Sequence, residues 1–469
     1  MGAHARYMVI IGLLLASTVG CTRPNAQYCE QLSDCQVGWS CDAVARECIF
    51  NGLDAGYDGP GCADSPSCPE TAPICSADHA CEACDPGADG AAACAARDSA
   101  RPLCRADGRC AECLSAIDCT GDVTRAFCDA DRGTCRGCTS HDECTSEVCN
   151  RSIGTCAETA GIIYVDNDGG ADGAGCGSQV SPCLTIAGSA GALRQLDAVR
   201  RTIRVRAGIQ AYAESLDLDG LALVIVGAGA SLRPVVSDTA AIVVHNGANV
   251  TIDGLRIEGA SGNADADGVR CEGTGSILRL SAVTVTENDD LGVDISDPCE
   301  LRLSRSVVSG NLNGGVRVRS DAFELVNNFI INNGGAIAAV GGAHFAQTGT
   351  TSTRRFDYNT VAGNESAAAN GVTCDSALTG TGNIVWGNAT GTQASANCSW
   401  TYSDIGGGAA GTGNIDVDPM FVASDDVHLM PGSPCIDAAD PTATLAIDID
   451  GDTRPRGAGV DIGADEAGN

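Results

Sequence analysis

One asparagine position, repeated at intervals of 23, 22, 31 and 24 residues, is the feature that most restricts how this chain can fold. The segments "TENDDLGVDI", "SGNLNGGVRV" and "INNGGAIAAV" align on that asparagine, and an aliphatic residue stands three positions before it in every repeat. A period of 22 to 24 residues with strand-like alternation inside it predicts a solenoid of stacked rungs. The repeated position comprises Asn288, Asn311, Asn333, Asn364 and Asn388.

Stacking gives a physical reason for asparagine at this position. Asparagines at equivalent positions in successive strands form a ladder, in which each side-chain amide bonds the next one ~4.8 Å away. A second column, five residues earlier, contains Asn328, Asn359 and Asn383. The single interval of 31 residues predicts a normal rung plus a loop at 342–351. These columns favour a solenoid over a β-sandwich, because a sandwich has no reason to repeat one buried polar residue.

The charge balance excludes several classes of function. The 469 residues include 60 acidic and 28 basic residues, for a net charge of −32. This balance disfavours nucleic acid as a partner, because phosphate backbones are bound through an excess of basic side chains. Every basic residue is arginine, which excludes a lysine base, a lysine Schiff base and a P-loop lysine.

The first 21 residues predict export. A basic residue, Arg6, precedes the apolar stretch at 7–16, which is too short to span a bilayer. The following "STVGC" resembles the lipobox of bacterial lipoproteins, with Cys21 as the lipidated residue. We therefore expect a signal peptide at 1–21 and an outer-membrane lipoprotein facing the cell surface, attached through its lipid alone. The alternative is plain secretion.

Cysteines concentrate between positions 22 and 158, where 20 of them form five groups of four. Each group spans few large apolar side chains, so it must be held by cross-links instead of by a core. Export favours two disulfides per group, with three pairings open in each. The C-x2-C junctions between groups leave zinc as an alternative. The groups are 29/35/41/48, 62/68/75/81, 84/94/104/110, 113/119/128/135 and 138/144/149/156.

The second half resembles the right-handed parallel β-helix of the pectate-lyase-like superfamily. The likeness rests on the asparagine columns, on the entry segment "IYVDNDGGADGAGCGSQVSPCLTI", and on the closing motifs "GSPCIDA", "DGDTRP" and "DIGADE". It implies an all-β chain: a right-handed parallel β-helix solenoid preceded by disulfide-rich small repeats. The implied divisions are an entry segment and cap with a short helix near 184–196 (159–200), rungs (201–410) and a closing segment (411–469).

The late cysteines fit this solenoid. Cys176 and Cys183 are expected to staple the entry loop. Cys271 and Cys374 occupy the same place in "GVRC" and "GVTC", and each is followed one rung later by another cysteine. Because one rung is within reach of a disulfide, we expect Cys271 to pair with Cys299 and Cys374 with Cys398. Cys435 then has no partner.

One cluster of acidic residues could bind a metal ion or take part in catalysis. Asp265 and Asp267 precede one rung's strand, and Asp289 and Asp290 lie in the same loop one rung later. Clustered carboxylates suit Ca2+. On the strands that follow these loops, Arg270, Asp294 and Arg317 form one column, one residue from each rung. The plainer interpretation is an acidic rim beside a ladder of alternating charges.

Resemblance to the family also implies a structural role for its closing segment. The residues Asp450, Arg454, Asp461 and Glu466 are expected to form a salt-bridge network at the solenoid cap, with Ca2+ as the alternative.

The function predicted from the sequence is a cell-surface binding or structural module. Its partner would be a polysaccharide or another surface protein. The alternative is a Ca2+-dependent polysaccharide lyase acting by β-elimination on uronates, with Arg270 or Arg317 as catalytic residues. The missing lysine, and the absence of any histidine in a Gly-His-Gly motif, count against an enzyme.

Overall fold

The computed structural model describes the backbone of Trp39–Asp42 and Glu47–Phe50, and residue 62. From 64 to 468 it describes all residues except 120, 263–264, 348–352, 368–370 and 390–391. The predicted signal peptide, lipidation of Cys21 and the cross-links of the first cysteine group lie outside the described residues. The chain forms two compact units, and the second comprises Thr145–Val148 and Ala157–Asn469.

The first unit consists of small hairpins with one short α-helix among its described residues. Its 3-10 turns are Ser65–Ser67, Ala116–Cys119, Val123–Arg125 and His141–Glu143. The elements are β1 (Trp39–Asp42), β2 (Glu47–Phe50), β3 (Ile74–Cys75), β4 (Cys81–Glu82), α1 (Ala88–Arg97), β5 (Leu103–Cys104), β6 (Cys110–Ala111), β7 (Phe127–Asp129), β8 (Thr134–Arg136), β9 (Cys149–Asn150) and β10 (Thr155–Cys156).

Each of the four described cysteine groups uses the same pairing, first to third and second to fourth. The third and fourth cysteines face each other across a hairpin, so the two bonds tie both strands to the preceding loop. Three sulfurs of each group lie within 4.8 Å of one another, but no thiolate remains among them for zinc. The bonds are Cys62–Cys75, Cys68–Cys81, Cys84–Cys104, Cys94–Cys110, Cys113–Cys128, Cys119–Cys135, Cys138–Cys149 and Cys144–Cys156.

The second unit is a parallel β-solenoid. Its strands are β11 (Ile162–Val165), β12 (Thr202–Val205), β13 (Leu216–Asp219), β14 (Ala222–Val226), β15 (Ser231–Leu232), β16 (Ile242–His245), β17 (Asn249–Asp253), β18 (Arg256–Glu258), β19 (Val269–Cys271), β20 (Ile277–Ser281), β21 (Thr284–Thr286), β22 (Leu291–Ile295), β23 (Glu300–Ser304), β24 (Val307–Ser309), β25 (Gly314–Val318), β26 (Phe323–Val326), β27 (Phe329–Ile331), β28 (Ala343–Phe345), β29 (Arg354–Asp357), β30 (Thr360–Ala362), β31 (Val372–Cys374), β32 (Leu378–Thr381), β33 (Ile384–Trp386), β34 (Cys398–Thr401) and β35 (Asp404–Ile405).

Three parallel sheets form the described solenoid, and from β13 to β33 each rung adds one strand to each sheet. Sheet A contains β11, β12, β14, β17, β20, β23, β26, β29, β32 and β34. Sheet B contains β13, β16, β19, β22, β25, β28 and β31, and sheet C contains β15, β18, β21, β24, β27, β30, β33 and β35. Aliphatic side chains point inward from all three sheets into one continuous buried cluster. The predicted parallel solenoid behind disulfide-rich repeats is confirmed.

The asparagine columns form two continuous ladders inside the turns. The Nδ2 atom of Asn311 donates to Oδ1 of Asn333 at 2.9 Å, and the same bond joins every neighbouring pair from Asn288 to Asn388. The second ladder runs from Asn328 through Asn359 to Asn383. Every ladder amide except that of Asn288 also donates to a backbone carbonyl, so its buried polar atoms are bonded.

An aromatic stack replaces aliphatic residues at the later rungs. The rings of Phe323, Phe345, Phe356 and Trp400 follow one another with centroids 4.8, 5.1 and 6.1 Å apart. Gly380 stands where the other rungs have a large side chain, because a Cβ there would lie 2.7 Å from the carbonyl oxygen of Phe356 and 2.9 Å from the Trp400 ring. The indole therefore fills the volume that a larger residue at Gly380 would occupy.

Two local expectations differ from the structure. The segment at 342–351 is not one loop, because Ala343–Phe345 forms strand β28 of sheet B. The extra length of that rung is divided between the loops on either side of β28. The helix expected near 184–196 is limited to the 3-10 turn Ala192–Gln195.

The late cysteines lie at three places in the solenoid. Cys176 is bonded to Cys183 in the entry loop. Cys271 of sheet B is bonded to Cys299, and Cys374 is bonded to Cys398, each across one rung. Among the described cysteines, Cys435 is the one without a disulfide, and its thiol lies 3.4 Å from Oδ2 of Asp404.

The closing segment (residues 411–469) folds back along the outer face of sheet C. Its first residues pair with the last strand, where the N–H of Ile405 donates to the carbonyl of Ile415, and a cap at the end of the solenoid stays a prediction. Phe329, Ile331 and Ala362 point outward from sheet C and are covered by Val427 and Ile449. Hydrogen bonds add to this contact, because the amide of Asn327 donates to the carbonyl of Ile447 and the N–H of Ala464 donates to Oγ1 of Thr360. Apolar burial of this kind is worth about 25 cal/mol per Å2, so the segment is an integral part of the fold.

The polar network of the closing segment is built differently from the one expected. The buried Arg454 lies 3.8 Å from Glu466 and donates to the main-chain oxygens of Asp461 and Gly463, and it does not bond the carboxylate of Asp461. Asp450 lies outside this pair and contacts His428. Asp448 instead organises the loop through hydrogen bonds from backbone N–H groups.

His428 predicts a pH dependence of this segment. Its ring is hydrogen-bonded to Asp450 at 3.0 Å and to Asp426, and these bonds, led by that to Asp450, raise the pKa of His428 to about 9 against the effect of burial. Stability from a raised histidine pKa is complete below the unfolded value near 6.5 and is lost as pH rises through about 9. Because the ring is 38% exposed, solvent screening limits the contribution to about 1 kcal/mol.

We therefore expect the free energy of unfolding to fall between pH 7 and pH 8.5, and less so in His428→Gln. Denaturant titrations at both pH values measure this difference. Asp404 and Asp461 titrate below this pH range, because burial raises their pKa values to about 6. Cys435 titrates largely above it, because burial raises the pKa of its thiol. Equal slopes in the two proteins would contradict the assignment.

Among the described residues, no helix combines the length and apolar character that a bilayer crossing requires. The regular disulfides indicate that the chain folds in an oxidising environment, as extracellular and secreted proteins do.

Candidate functional site

The candidate site lies on the outer face of sheet B. Because side chains of a strand alternate between faces, one outward residue per rung forms a column across the sheet. In this column Arg270 pairs in register with Asp294, then Arg317, then His344. We call these residues, with Arg319 of the rung of Arg317, the sheet B stripe. It remains outside the region covered by the closing segment, which packs on sheet C.

Asp294 organises the centre of the stripe. Its side chain is 5% exposed, and its two oxygens accept bonds of 2.9 Å from Nε and Nη2 of Arg317. Nη2 of Arg319 donates to the same carboxylate at 2.9 Å and to Oγ of Ser296 at 2.8 Å. One buried carboxylate thus orients two guanidinium groups at the surface, in the fork geometry that gives strong charge-assisted bonds.

The first carboxylate pair of the predicted cluster is held by Arg270. Nη2 of Arg270 lies 2.6 Å from Asp265 and 2.7 Å from Asp267. Asp267 is buried and also accepts a bond from the backbone of Leu291. Burial raises the pKa of Asp267 to about 6, with the charge of Asp294 adding to the rise and Arg270 opposing it.

The second pair has other partners. Asp289 accepts a bond of 2.9 Å from the backbone N–H of Gly262, and Asp290 accepts one of 2.7 Å from Asn313. Asp290 is close enough to Asp267 to raise its pKa. The loop position of both residues is fixed by the ladder amide of Asn288, directly before them.

These contacts determine which oxygen atoms are available to bind a Ca2+ ion. Oxygen ligands are present, as Ca2+ requires. However, the guanidinium of Arg270 already bonds Asp265 and Asp267, so an ion held by both carboxylates would have to displace it. The four acids act as partners of Arg270, Asn313 and the backbone. Binding of Ca2+ by Asp265, Asp267, Asp289 and Asp290 stays a prediction.

The protonation of the arginines bears on catalysis. Hydrogen bonds from Asp294 raise the pKa of Arg317. For Arg270 burial lowers the pKa, but the bonds to Asp267 outweigh it, so its pKa also lies above the ordinary value. A general base must be unprotonated near the working pH, and both guanidinium groups are held in the charged form.

Sequence reasoning missed the partners that complete the stripe. Arg319 and Ser296 were not identified, although each stands two positions beyond a residue of the column and so on the same face. His344, whose Nε2 lies 3.0 Å from Asp375, continues the stripe by one rung. The signal available in the sequence was the alternation of the strands.

The comparisons with known proteins assign no family to this chain. No family model and no curated protein matches the sequence. Among solved structures, a crystal structure of pectate lyase Pel9A is similar over 66% of this chain and 96% of that chain, with 16% identity and a TM-score of 0.37. A likeness of this size does not assign an activity.

Proposed function

We propose that the protein is an exported surface module whose sheet B stripe binds a glycan, and that it is not a polysaccharide lyase. The observation that carries the proposal is the buried Asp294, which holds Arg317 and Arg319 side by side at the surface. Arginines fixed in this way lose little conformational freedom when a ligand binds. Each guanidinium has five N–H donors, so donors remain for hydroxyl or carboxylate oxygens.

The solenoid suits a repeating polymer. Neighbouring strands lie ~4.8 Å apart, so a glycan laid across the rungs meets a polar side chain at each step. The raised pKa values of Arg270 and Arg317 argue against the alternative, a lyase that uses an arginine base. Export with a lipid on Cys21 belongs to the same proposal and rests on the motif "STVGC".

Retention of polysaccharides on the immobilised chain tests the proposal. We expect one member of a panel of uronate and neutral polysaccharides to be retained, with about tenfold weaker affinity in Arg319→Gln, the loss of one or two charge-assisted bonds. Arg302→Gln is the matched control, because Arg302 lies on sheet A and is half exposed beside Glu300. Equal losses in both variants, or no retention by the native chain, would refute binding by the stripe.

A further inference from the structure

A cavity lies in the disulfide-rich unit, and its lining is positively charged although the chain as a whole is negatively charged. Its volume is about 350 Å3. Five guanidinium groups and two carboxylates line it, in a protein whose net charge is −32. The arginines are Arg97, Arg101, Arg105, Arg109 and Arg132.

Three cysteine groups build this cavity, and arginines join them. Four of the arginines belong to the group of α1, β5 and β6, which is closed by the disulfides of Cys84 and Cys94. Nη2 of Arg97 donates to the backbone oxygen of Cys68 at 2.8 Å. Nη1 of Arg105 donates to the backbone oxygen of Asp131 at 2.6 Å. These two bonds fix Arg97 and Arg105 to the neighbouring cysteine groups on either side.

Arg97, Arg101 and Arg109 retain unused hydrogen-bonding capacity. Arg101 uses one donor on Glu70, which is itself 73% exposed, and Arg97 uses one donor on a carbonyl. The side chain of Arg109 is exposed and contacts no acid among the described residues. Since each guanidinium offers five donors in a planar fork, the wall presents many N–H groups toward the cavity.

This combination selects for a small oxyanion. Planar arginine forks match the geometry of carboxylate, sulfate and phosphate groups. A cavity of about 350 Å3 has room for a group of about the size of one sugar, and it lies at the lower end of ordinary small-molecule sites. The acidic remainder of the chain opposes long polyanions and anionic membranes, because like charges repel over about 8 Å at physiological salt.

We propose that this cavity binds the anionic group of an acidic saccharide, a carboxylate or a phosphate ester. The site is separate from the sheet B stripe and does not depend on it. The two sources of the oxyanion are distinguished by the probes, trigalacturonate for carboxylate and glucose 6-phosphate for phosphate. Maltotriose serves as the neutral saccharide.

Isothermal titration of the whole oxidised chain tests the proposal. We expect saturable binding of trigalacturonate or glucose 6-phosphate, none of maltotriose, and weakening as salt increases. Arg109→Gln should bind at least about tenfold more weakly, whereas Arg302→Gln, on sheet A of the solenoid, should leave binding unchanged. Arg109→Lys should recover only part of the affinity, because lysine keeps the charge but lacks the fork.

Three results would overturn the proposal. They are the absence of saturable binding for both acidic probes, equal binding by Arg109→Gln and the native chain, and binding to phosphatidylglycerol vesicles but to neither sugar. Loss in Arg319→Gln with no change in Arg109→Gln would assign the ligand to the stripe instead. Retained disulfides and an unchanged circular dichroism spectrum establish that Arg109→Gln is folded.

Discussion

Replacement of Asn333 by leucine is expected to lower the free energy of unfolding by about 3–5 kcal/mol, near the upper limit for a single substitution. Asn333 is 1% exposed, and its Oδ1 accepts bonds from both the backbone and the amide of Asn311. Its Nδ2 donates to Asn364 and to the carbonyl of Val308. Leucine is of similar size but leaves these buried groups without partners, and each costs about 1–3 kcal/mol.

Denaturant unfolding monitored by circular dichroism measures this loss. Asn249→Ala is the control, because Asn249 is exposed on sheet A and bonds only the surface residue Arg279 through its side chain. We expect the control to change stability by less than about 1 kcal/mol. A similar small change in Asn333→Leu would mean that the ladder is not a source of stability.

The second large effect is expected at Arg454. Its side chain is fully buried, 3.8 Å from Glu466, with the guanidinium 5.4 Å from the centre of the Tyr358 ring. Nη2 donates to the carbonyl of Gly463 at 2.9 Å. Arg454→Met should destabilise the protein by about 3–5 kcal/mol, because it leaves a buried acid and two carbonyls uncompensated.

Limited proteolysis and thermal unfolding measure this effect. Protease cleavage should begin within the closing segment, since that segment loses its contact with sheet C. Arg456→Gln is the matched control, because Arg456 is 41% exposed and pairs with the surface residue Asp452. The double variant Arg454→Met with Glu466→Gln should recover part of the loss. Similar stability of the two single variants would contradict the role given to Arg454.

The rungs could be predicted because their physical cause is local in the sequence. A buried amide must be bonded on both sides, so Asn311 requires an asparagine one rung before it and one rung after it. The cross-rung disulfide of Cys271 follows the same logic, because the period places Cys299 within reach.

The closing segment could not be placed in this way, although one clue was present. Strand β27 reads "FII", with apolar side chains on both faces, so Phe329 and Ile331 require a cover outside the sheet. Only the folded chain shows that residues near Val427 provide it. The contact with sheet C was missed because the motifs of the segment give its composition and not the face on which it packs.

The arginine-lined cavity depends on the disulfide pairing, which sequence left open. Arg97, Arg101, Arg105 and Arg109 recur every four residues, but only the start of that run is helical. The pairing of Cys94 with Cys110 folds the run back on itself. The stripe was predicted in part, since the register of Arg270, Asp294 and Arg317 follows from the period.

A product assay on uronate polysaccharides tests the central claim, binding without cleavage, most directly. The whole chain is incubated with polygalacturonate, with Ca2+ or with chelator, while retention and unsaturated sugar are measured together. We expect a retained polysaccharide from the panel and no unsaturated product under either condition. Ca2+-dependent product that is lost in Asp289→Ala or Arg317→Ala would contradict this account and establish the lyase.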